Sequence, residues 1–465
     1  MRHDGLRAAL GAALALGALA GCSLAPHYER PPSPVAEDWA TPQAGEAQRP
    51  LPWREFFADP ALAGLIADAL ENNRDLRVAV LNIEKARAQY RISRADLLPS
   101  VDAGVSGNGQ RTPADLSSSG RTATTHRYDA GVGFASYEVD FFGRVRSLNE
   151  QALEAYLQTV EAQRAARIAL VAEVATAWYQ LQADLQALAI ARQTLESQRQ
   201  SYATIRSSYE AEVATELDLS QAESTVRAAE ASQAQYRRLV EQDGNALVLL
   251  VGKPLEPQRL RQAAPQALAL DAPLPAGLPS AALTRRPDIL AAEHALKAAN
   301  ANIGAARAAF FPRIGLTASA GSASAELGQL FAGGQGAWSF VPSISLPIFD
   351  WGRNQANLDV ARVQTSIEVA NYQKAIQVAF REVADGLAAR GTLQEQVRAQ
   401  ALLVKANAHS YDLARARYEQ GVDTYLNALD AQRALFAAQQ ELVATELARE
   451  QNRVALYKAL GGGDR

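Results

Sequence analysis

Few residues of this chain are spaced for chemistry. The five histidines, His3, His27, His126, His294 and His409, are scattered and form no HExxH pair of the kind that grips zinc from one helix face. Gly252-Lys253 is followed by Pro254 and lacks the glycine that a phosphate-binding loop needs five residues upstream. No Gly-x-Ser-x-Gly nucleophile turn occurs. Cys22 is the only cysteine and Met1 the only methionine. An internal disulfide framework, a thiolate zinc site and a methionine route for copper or silver are therefore all excluded. These patterns speak against an enzyme and call for no cofactor and no bound metal.

The lone thiol has a particular address. Arg2 and Arg7 precede a short apolar run, Ala8 to Leu19, which then ends in Leu19-Ala20-Gly21-Cys22. Charged start, apolar middle and small residues make a signal peptide over 1–21. The last four residues resemble a bacterial lipobox. That resemblance implies that Cys22 becomes the first mature residue and carries lipid on its sulfur and its amine. Ser23 follows, rather than the aspartate that usually retains lipoproteins in the inner membrane, so the resemblance points to the outer membrane. Residues 22–52 are proline-rich and patternless, an extended lipidated tether on the protein surface.

At 465 residues, with 48% hydrophobic and 21% charged residues, the chain is globular in composition. A net charge of −4 and a pI near 5.9 provide no basic footprint for nucleic acid. No run of about 20 apolar residues follows the N-terminus, so no transmembrane helix is expected.

Two stretches repeat. Arg74 onward matches Pro287 onward, aligning Asp75 with Asp288, Arg94 with Arg307 and Pro99 with Pro312. Glu173-Val174-Ala175 then matches Glu382-Val383-Ala384, and Ser201 onward matches Ser410 onward. The offset is about 213 residues early and about 209 later, so one unit is duplicated in tandem. Two copies are too few for a solenoid, and pseudo-symmetric halves of one domain are expected.

Within each half the hydrophobic period changes. Val101, Ala103 and Val105 alternate with polar or small residues, as do Tyr128, Ala130, Val132 and Phe134. In the second half Ile314, Leu316, Ala318 and Ala320 alternate likewise, as do Trp338, Phe340, Pro342, Ile344, Leu346 and Ile348. Period two in four places predicts two hairpins, 100–140 and 312–349, whose one apolar and one small-polar face suit a transmembrane barrel. A long helix with a returning partner follows each hairpin, over 141–250 and 350–460. Val171, Val174, Trp178, Leu181, Leu185, Leu188, Leu195, Tyr202 and Tyr209 mark a heptad seam on the first, broken by Arg192 and Arg206. Val363, Ile367, Ala370, Ile376, Val383, Leu387, Val404 and Tyr411 mark it on the second. About 65 residues at 1.5 Å each span close to 100 Å. Segments 53–99 and 251–311 supply short helices and an equatorial region, and 461–465 is a tail. Four strands cannot close a barrel, and lipid does not tolerate an open sheet edge, so several chains must share one. Twelve strands from a trimer leave a lumen, whereas eight from a dimer are nearly filled by side chains.

The lipobox, the PHYERP tether, Trp53 to Pro60 (WREFFADP), ENNRDLR from Glu71, RARYEQGVDTYLNALDAQR from Arg415 and the terminal YKALGGG resemble together the TolC-like outer membrane efflux proteins, in particular their OprM-like lipoproteins. The resemblance spans essentially the whole mature chain. It implies an α + β membrane protein: a homotrimer with a 12-stranded transmembrane barrel, a long periplasmic helical barrel and a mixed equatorial region. It implies a passive exit duct in the outer membrane, joined by a periplasmic adaptor to an inner-membrane resistance–nodulation–division (RND) transporter, and conducting drugs or other small molecules. It also implies a periplasmic gate at the two helix turns. Asp430 falls where relatives carry a carboxylate ring, Asp218 and Tyr418 match a hydrogen-bonded pair joining neighbouring helix pairs, and Asp423 lies in the GVDTYL turn. The residues themselves leave a plainer reading open, since Thr215-x-x-Asp218 is a capping-box variant and Asp423 or Thr424 could cap the returning helix. A further difference lies between the turns, where Glu212 stands opposite Gly421. A periplasmic coiled-coil adaptor and a duct for type I protein secretion are the alternative functions. An adaptor should have one helical hairpin and no duplicated strand hairpins.

Overall fold

The computed structural model describes residues 23–36, 51–256, 260 and 280–463. The signal peptide and Cys22 lie outside the described residues, as do 37–50 of the tether. In chain order the elements are α1 (Trp53–Phe56), α2 (Pro60–Asn72), α3 (Arg74–Ala95), β1 (Asp102–Thr112) and β2 (Ala123–Glu138). Then come α4 (Arg144–Glu210), α5 (Glu216–Val251), a 3₁₀ turn (Ser280–Arg285) and α6 (Pro287–Ala308). The chain continues with β3 (Arg313–Ser324), β4 (Gly336–Ser345), α7 (Arg353–Glu419) and α8 (Tyr425–Ala459).

The compact units do not follow the duplication. Among the described residues, one unit takes 23–32, 82–160 and 291–372, and the other takes 33–36, 51–81, the described part of 161–290, and 373–463. Each draws on both repeats, so the expected pseudo-symmetric halves are not separate bodies. The reason lies in the length of α4 and α7, at 67 residues each. A helix that long contributes to more than one core.

In the first unit the four strands form one antiparallel sheet in the order β1-β2-β3-β4. Register carries the sequence alternation across it. Ala103 faces Val132, Val132 faces Ala320, and Ala320 faces Trp338. Phe134 faces Ala318, and Ala318 faces Phe340. Side chains of paired residues share a face, so the apolar set is continuous over all four strands. The other face carries Asp102, Gly133, Ser319 and Ser339 in register, with Ser319 and Ser339 hydroxyls 2.9 Å apart. A bulge follows Phe134, where Ser136 sits at φ 55° and pairing resumes at Tyr137 with Leu316. The bulge shifts β2 by one residue, so odd-numbered Tyr137 joins the face of even-numbered Phe134. On the apolar face Val105, Trp338, Phe340 and Ile344 are exposed.

The core of the second unit explains two of the sequence motifs. Trp53, Phe56 and Phe57 of WREFFADP are buried with Leu62, Leu65 and Ile66 of α2, against Val171, Val174, Trp178 and Leu181 of α4. Burying a side chain of this size contributes about 1.5–3 kcal/mol. Asp59 does two jobs: Oδ1 caps α2 at Ala61 N (2.8 Å), and Oδ2 accepts from Trp178 Nε1 (3.0 Å). Tyr457 of YKALGGG packs on the Phe56 ring at 4.7 Å between centroids and donates to Gly462 O. The duplication is visible in chemistry as well as shape. Asn73 Nδ2 donates to Leu250 O at 2.8 Å, and its repeat counterpart Arg286 donates through Nη1 to Ala459 O, also at 2.8 Å. Both close the end of a returning helix, whose last carbonyls lack an intrahelical donor. Arg286 also pairs with Asp288 and Glu382, two residues that mark the repeat.

The seam on α4 is buried from Val171 through Leu195 except at half-buried Leu185. On α7 the expectation holds only from Ile376 onward, since Val363 and Ile367 are 59% and 47% exposed. Their periodicity belongs to a face that this chain alone leaves uncovered.

Candidate functional site

The two turns joining the long helices share one backbone. After α7, Val422 N donates to Arg417 O and Gly421 N to Tyr418 O, both at 2.9 Å. After α4, Val213 N donates to Ser208 O at 2.8 Å and Glu212 N to Tyr209 O at 2.9 Å. This paired closure is a Schellman motif, and it needs a left-handed residue at its hinge. Gly421 supplies φ 71° and Glu212 supplies φ 61°. The difference seen in sequence therefore leaves the turn intact and places its strain on Glu212. Beside the hinges, Val213, Leu217, Val422 and Leu426 are exposed apolar residues at equivalent positions of the two repeats.

The acidic residues are largely engaged in local structure. Asp218 completes a capping box: Thr215 N and Oγ1 donate to Asp218 Oδ2 at 3.1 and 2.7 Å, and Asp218 N donates to Thr215 Oγ1 at 3.2 Å. Asp218 and Tyr418 share no hydrogen bond among the described residues. Within the chain the Asp218 carboxylate serves Thr215 through Oδ2. Asp218 and Tyr418 are still electrostatic neighbours. Burial, then the Asp218 charge, raises the Tyr418 phenol above its ordinary value. Asp423 accepts from Thr424 N (2.9 Å), Asn427 Nδ2 (2.5 Å) and Arg417 Nε (3.1 Å), and these partners hold its carboxyl below the usual range. Thr424, at the N-cap, makes no side-chain cap. Asp430 is the most available, its side chain 62% exposed with Arg433 Nη1 at 3.5 Å.

Above the turns Tyr418 meets Tyr425 at 5.5 Å between ring centroids, beside the small core of Ile205, Ala222, Tyr425 and Leu429. A buried polar chain then crosses all four long helices. Thr225 Oγ1 of α5 donates to Gln198 Oε1 of α4 (2.8 Å), and Gln198 Nε2 donates to Gln432 Oε1 of α8 (2.7 Å). Gln432 Nε2 donates to Ser197 Oγ (3.1 Å), which lies 3.2 Å from the Tyr411 hydroxyl of α7. Sequence reasoning missed this network. Glutamine, serine and threonine are ordinary on a helix surface, and nothing local marks these as partners.

The site thus consists of two equivalent turns, each bearing an acidic residue within hydrogen bonds, one exposed aspartate, and a polar tie binding four helices. It gathers no nucleophile–base pair. It can stiffen, attract cations and hold helices together.

Comparison with known proteins agrees with this architecture. The profile of the outer membrane efflux protein family matches residues 65–253 and 278–462, one segment in each repeat. The toluene efflux pump outer membrane protein TtgC of Pseudomonas putida is 52% identical over 454 residues, covering 96% of this chain and 93% of that one. A membrane protein of Pseudomonas aeruginosa of known crystal structure superposes with a TM-score of 0.87 at 47% identity, covering 95% of this chain and all of that one. The open state of the Neisseria gonorrhoeae MtrE outer membrane channel gives 0.85 at 41% identity, covering 95% and 98%. The adaptor reading is set aside by these matches and by the two strand hairpins in one sheet. This chain is a channel of the outer membrane, an exit duct that conducts passively and catalyses no reaction, and it belongs to the outer membrane efflux protein family.

Proposed function

We propose that three copies of this chain close a 12-stranded barrel in the outer membrane. That trimer forms the last stage of a tripartite efflux pump, joined by a periplasmic adaptor to an inner-membrane RND transporter. The observation that carries this reading is the four-stranded sheet with one continuous apolar face and unpaired outer edges on β1 and β4. Each free edge presents backbone donors and acceptors that lipid cannot satisfy, so β4 of one chain pairs with β1 of the next. The exposed Val363 and Ile367 of α7 are then covered by neighbouring helices in the same ring. The paired apolar knobs Val213, Leu217, Val422 and Leu426 support contact with the adaptor at the turns. TtgC is named for toluene efflux, and small-molecule cargo is the corresponding reading here, with selection made by the transporter.

Cys22 carries the lipid anchor. At the turns Asp218, Tyr418, Asp423 and Asp430 form the periplasmic gate, with Asp430 repeated by the three-fold axis into a carboxylate ring. In planar bilayers the wild-type protein is expected to give small cation-selective conductances, and Asp430→Ala to reduce that selectivity. Unchanged selectivity would reject the ring. Radiolabelled palmitate is expected to mark wild type and not Cys22→Ser, and label surviving the substitution would reject the anchor.

A further inference from the structure

The first described residues of the chain do not drape loosely over the surface. Leu24 to Arg30 run along α6, held by side chains at seven-residue steps. Arg307 Nη1 donates to Leu24 O (3.0 Å) and Asn300 Nδ2 to Pro26 O (2.8 Å). Glu293 accepts from Tyr28 Oη (3.1 Å) and from Arg30 Nε and Nη2 (3.1 and 2.8 Å). Seven residues are two helical turns, so Glu293, Asn300 and Arg307 stand in one row of α6. Lys297, between the first two, lies 5.3 Å over the Tyr28 ring. Gly304 lets the backbone approach, since a Cβ there would stand 2.8 Å from Ala25 N and 2.9 Å from Ala25 Cα.

Glu293 is the key of the row. Its side chain is 4% exposed, and an ionised carboxylate so placed needs partners. Burial alone would raise its pKa, but the hydrogen bond from Arg30 and the charges of Lys297 and Arg30 outweigh that and hold it low. The duplication supplies a built-in control. At the 213-residue offset the counterparts of Glu293, Asn300, Gly304 and Arg307 on α3 are Val80, Arg87, Arg91 and Arg94. Only one of two homologous helices has the carboxylate, the amide and the gap.

We propose that this face of α6 is a built seat for the mature N-terminus, and that it fixes the position of the lipid anchor. The second half rests on lipidation of Cys22. Only Ser23 separates Cys22 from Leu24, and two residue steps reach at most about 7 Å. Leu24 is held by Arg307, in the last turn of α6, and β3 begins at Arg313. The seat therefore delivers the anchor to the start of the membrane strands.

Chymotrypsin acting on full-length protein in detergent tests both halves, with cutting after Tyr28 followed by mass spectrometry. The bond is expected to be cut at least about tenfold more slowly in the wild type than in a synthetic peptide of residues 23–36. Glu293→Ala and Gly304→Leu are each expected to recover about tenfold or more of that rate, as removing a charge-assisted contact should. Wild-type cutting as fast as the free peptide overturns the seat, even if neither variant assembles. The mass of the released fragment reads lipid separately. A protected strap on a lipid-free Cys22 overturns the anchoring role and the lipidation reading, while the seat stands.

Discussion

Gln198 and Gln432 are 234 residues apart in sequence and joined by a buried 2.7 Å hydrogen bond between α4 and α8. Thr225 donates to the same Gln198 and Ser197 accepts from the same Gln432, so Gln198 alone ties the outgoing helix of the first repeat to both returning helices. A fully satisfied polar network inside a helix bundle resists rearrangement, because each broken bond leaves a buried group unpaired. It lies just above the turns that the proposed gate must move.

Replacing Gln198 by Leu is expected to strand Gln432 Oε1, while Thr225 Oγ1 keeps Ala222 O as its acceptor, and to cost about 1–3 kcal/mol. Hydrogen exchange over 195–230 and 425–435 should accelerate, and resting conductance should rise. Gln198→Leu with Gln432→Leu should cost less than the sum of the singles. Additive singles would mean the two act independently.

Loosening the turns themselves is expected to open the duct. Asp218→Ala removes the capping box, worth about 0.5–2 kcal/mol at each chain, and Tyr418→Phe removes the hydroxyl beside it. The double variant should show larger bilayer conductance and should sensitise cells to large antibiotics. A loss of helix stability without any change in conductance would leave Asp218 as a cap and nothing more.

Glu212 offers the opposite test. It holds a left-handed conformation that costs a non-glycine residue about 1–2 kcal/mol. Glu212→Gly copies Gly421 and should be neutral or stabilising, read as an unchanged or higher midpoint of thermal unfolding. A fall would show that the Glu212 side chain makes a contact worth more than its strain.

One carboxylate predicts a pH dependence. Asp243 is pushed up to about 7 by burial, and then by its hydrogen bond to and the charge of Asp184. Asp243 Oδ2 is buried without a donor, and a proton shared with Asp184 satisfies it. The folded pKa lies above the unfolded value of about 3.9. The native state therefore holds the extra proton, and this stability is fully present below about pH 4 and lost as pH rises through 7. Asp243→Asn should flatten thermal stability across that window. An identical slope in the variant would place the titration elsewhere.

The sheet faces can be separated by charge. Phe134→Arg or Ile344→Arg should cost about 2–4 kcal/mol if the site lies near the bilayer midplane, whereas Ser343→Arg on the opposite face should be tolerated. Gly133 cannot serve as the control, because a Cβ there would stand 2.4 Å from Ala318 O. Folding yields into lipid vesicles decide the matter, and equal yields for both faces would take the sheet out of the membrane.

The strands and long helices were legible because their signals are local. Alternation at Ile314 to Ala320 is period two whatever lies nearby, and proline-free stretches of about 65 residues leave little but helix. Thr215-x-x-Asp218 was legible as a cap for the same reason. The Gln198–Gln432 tie and the seat at Glu293 were not, since each joins residues more than 200 apart through side chains common on any helix surface. The seam at Val363 and Ile367 is apolar as its periodicity says, and this chain leaves it exposed. Periodicity reports that a face must be buried and is silent about which copy buries it.

That silence sets the decisive measurement. Native mass spectrometry of the protein extracted from outer membranes should find three chains per particle, the number that closes twelve strands around a lumen. A particle of one or two chains would contradict the shared barrel.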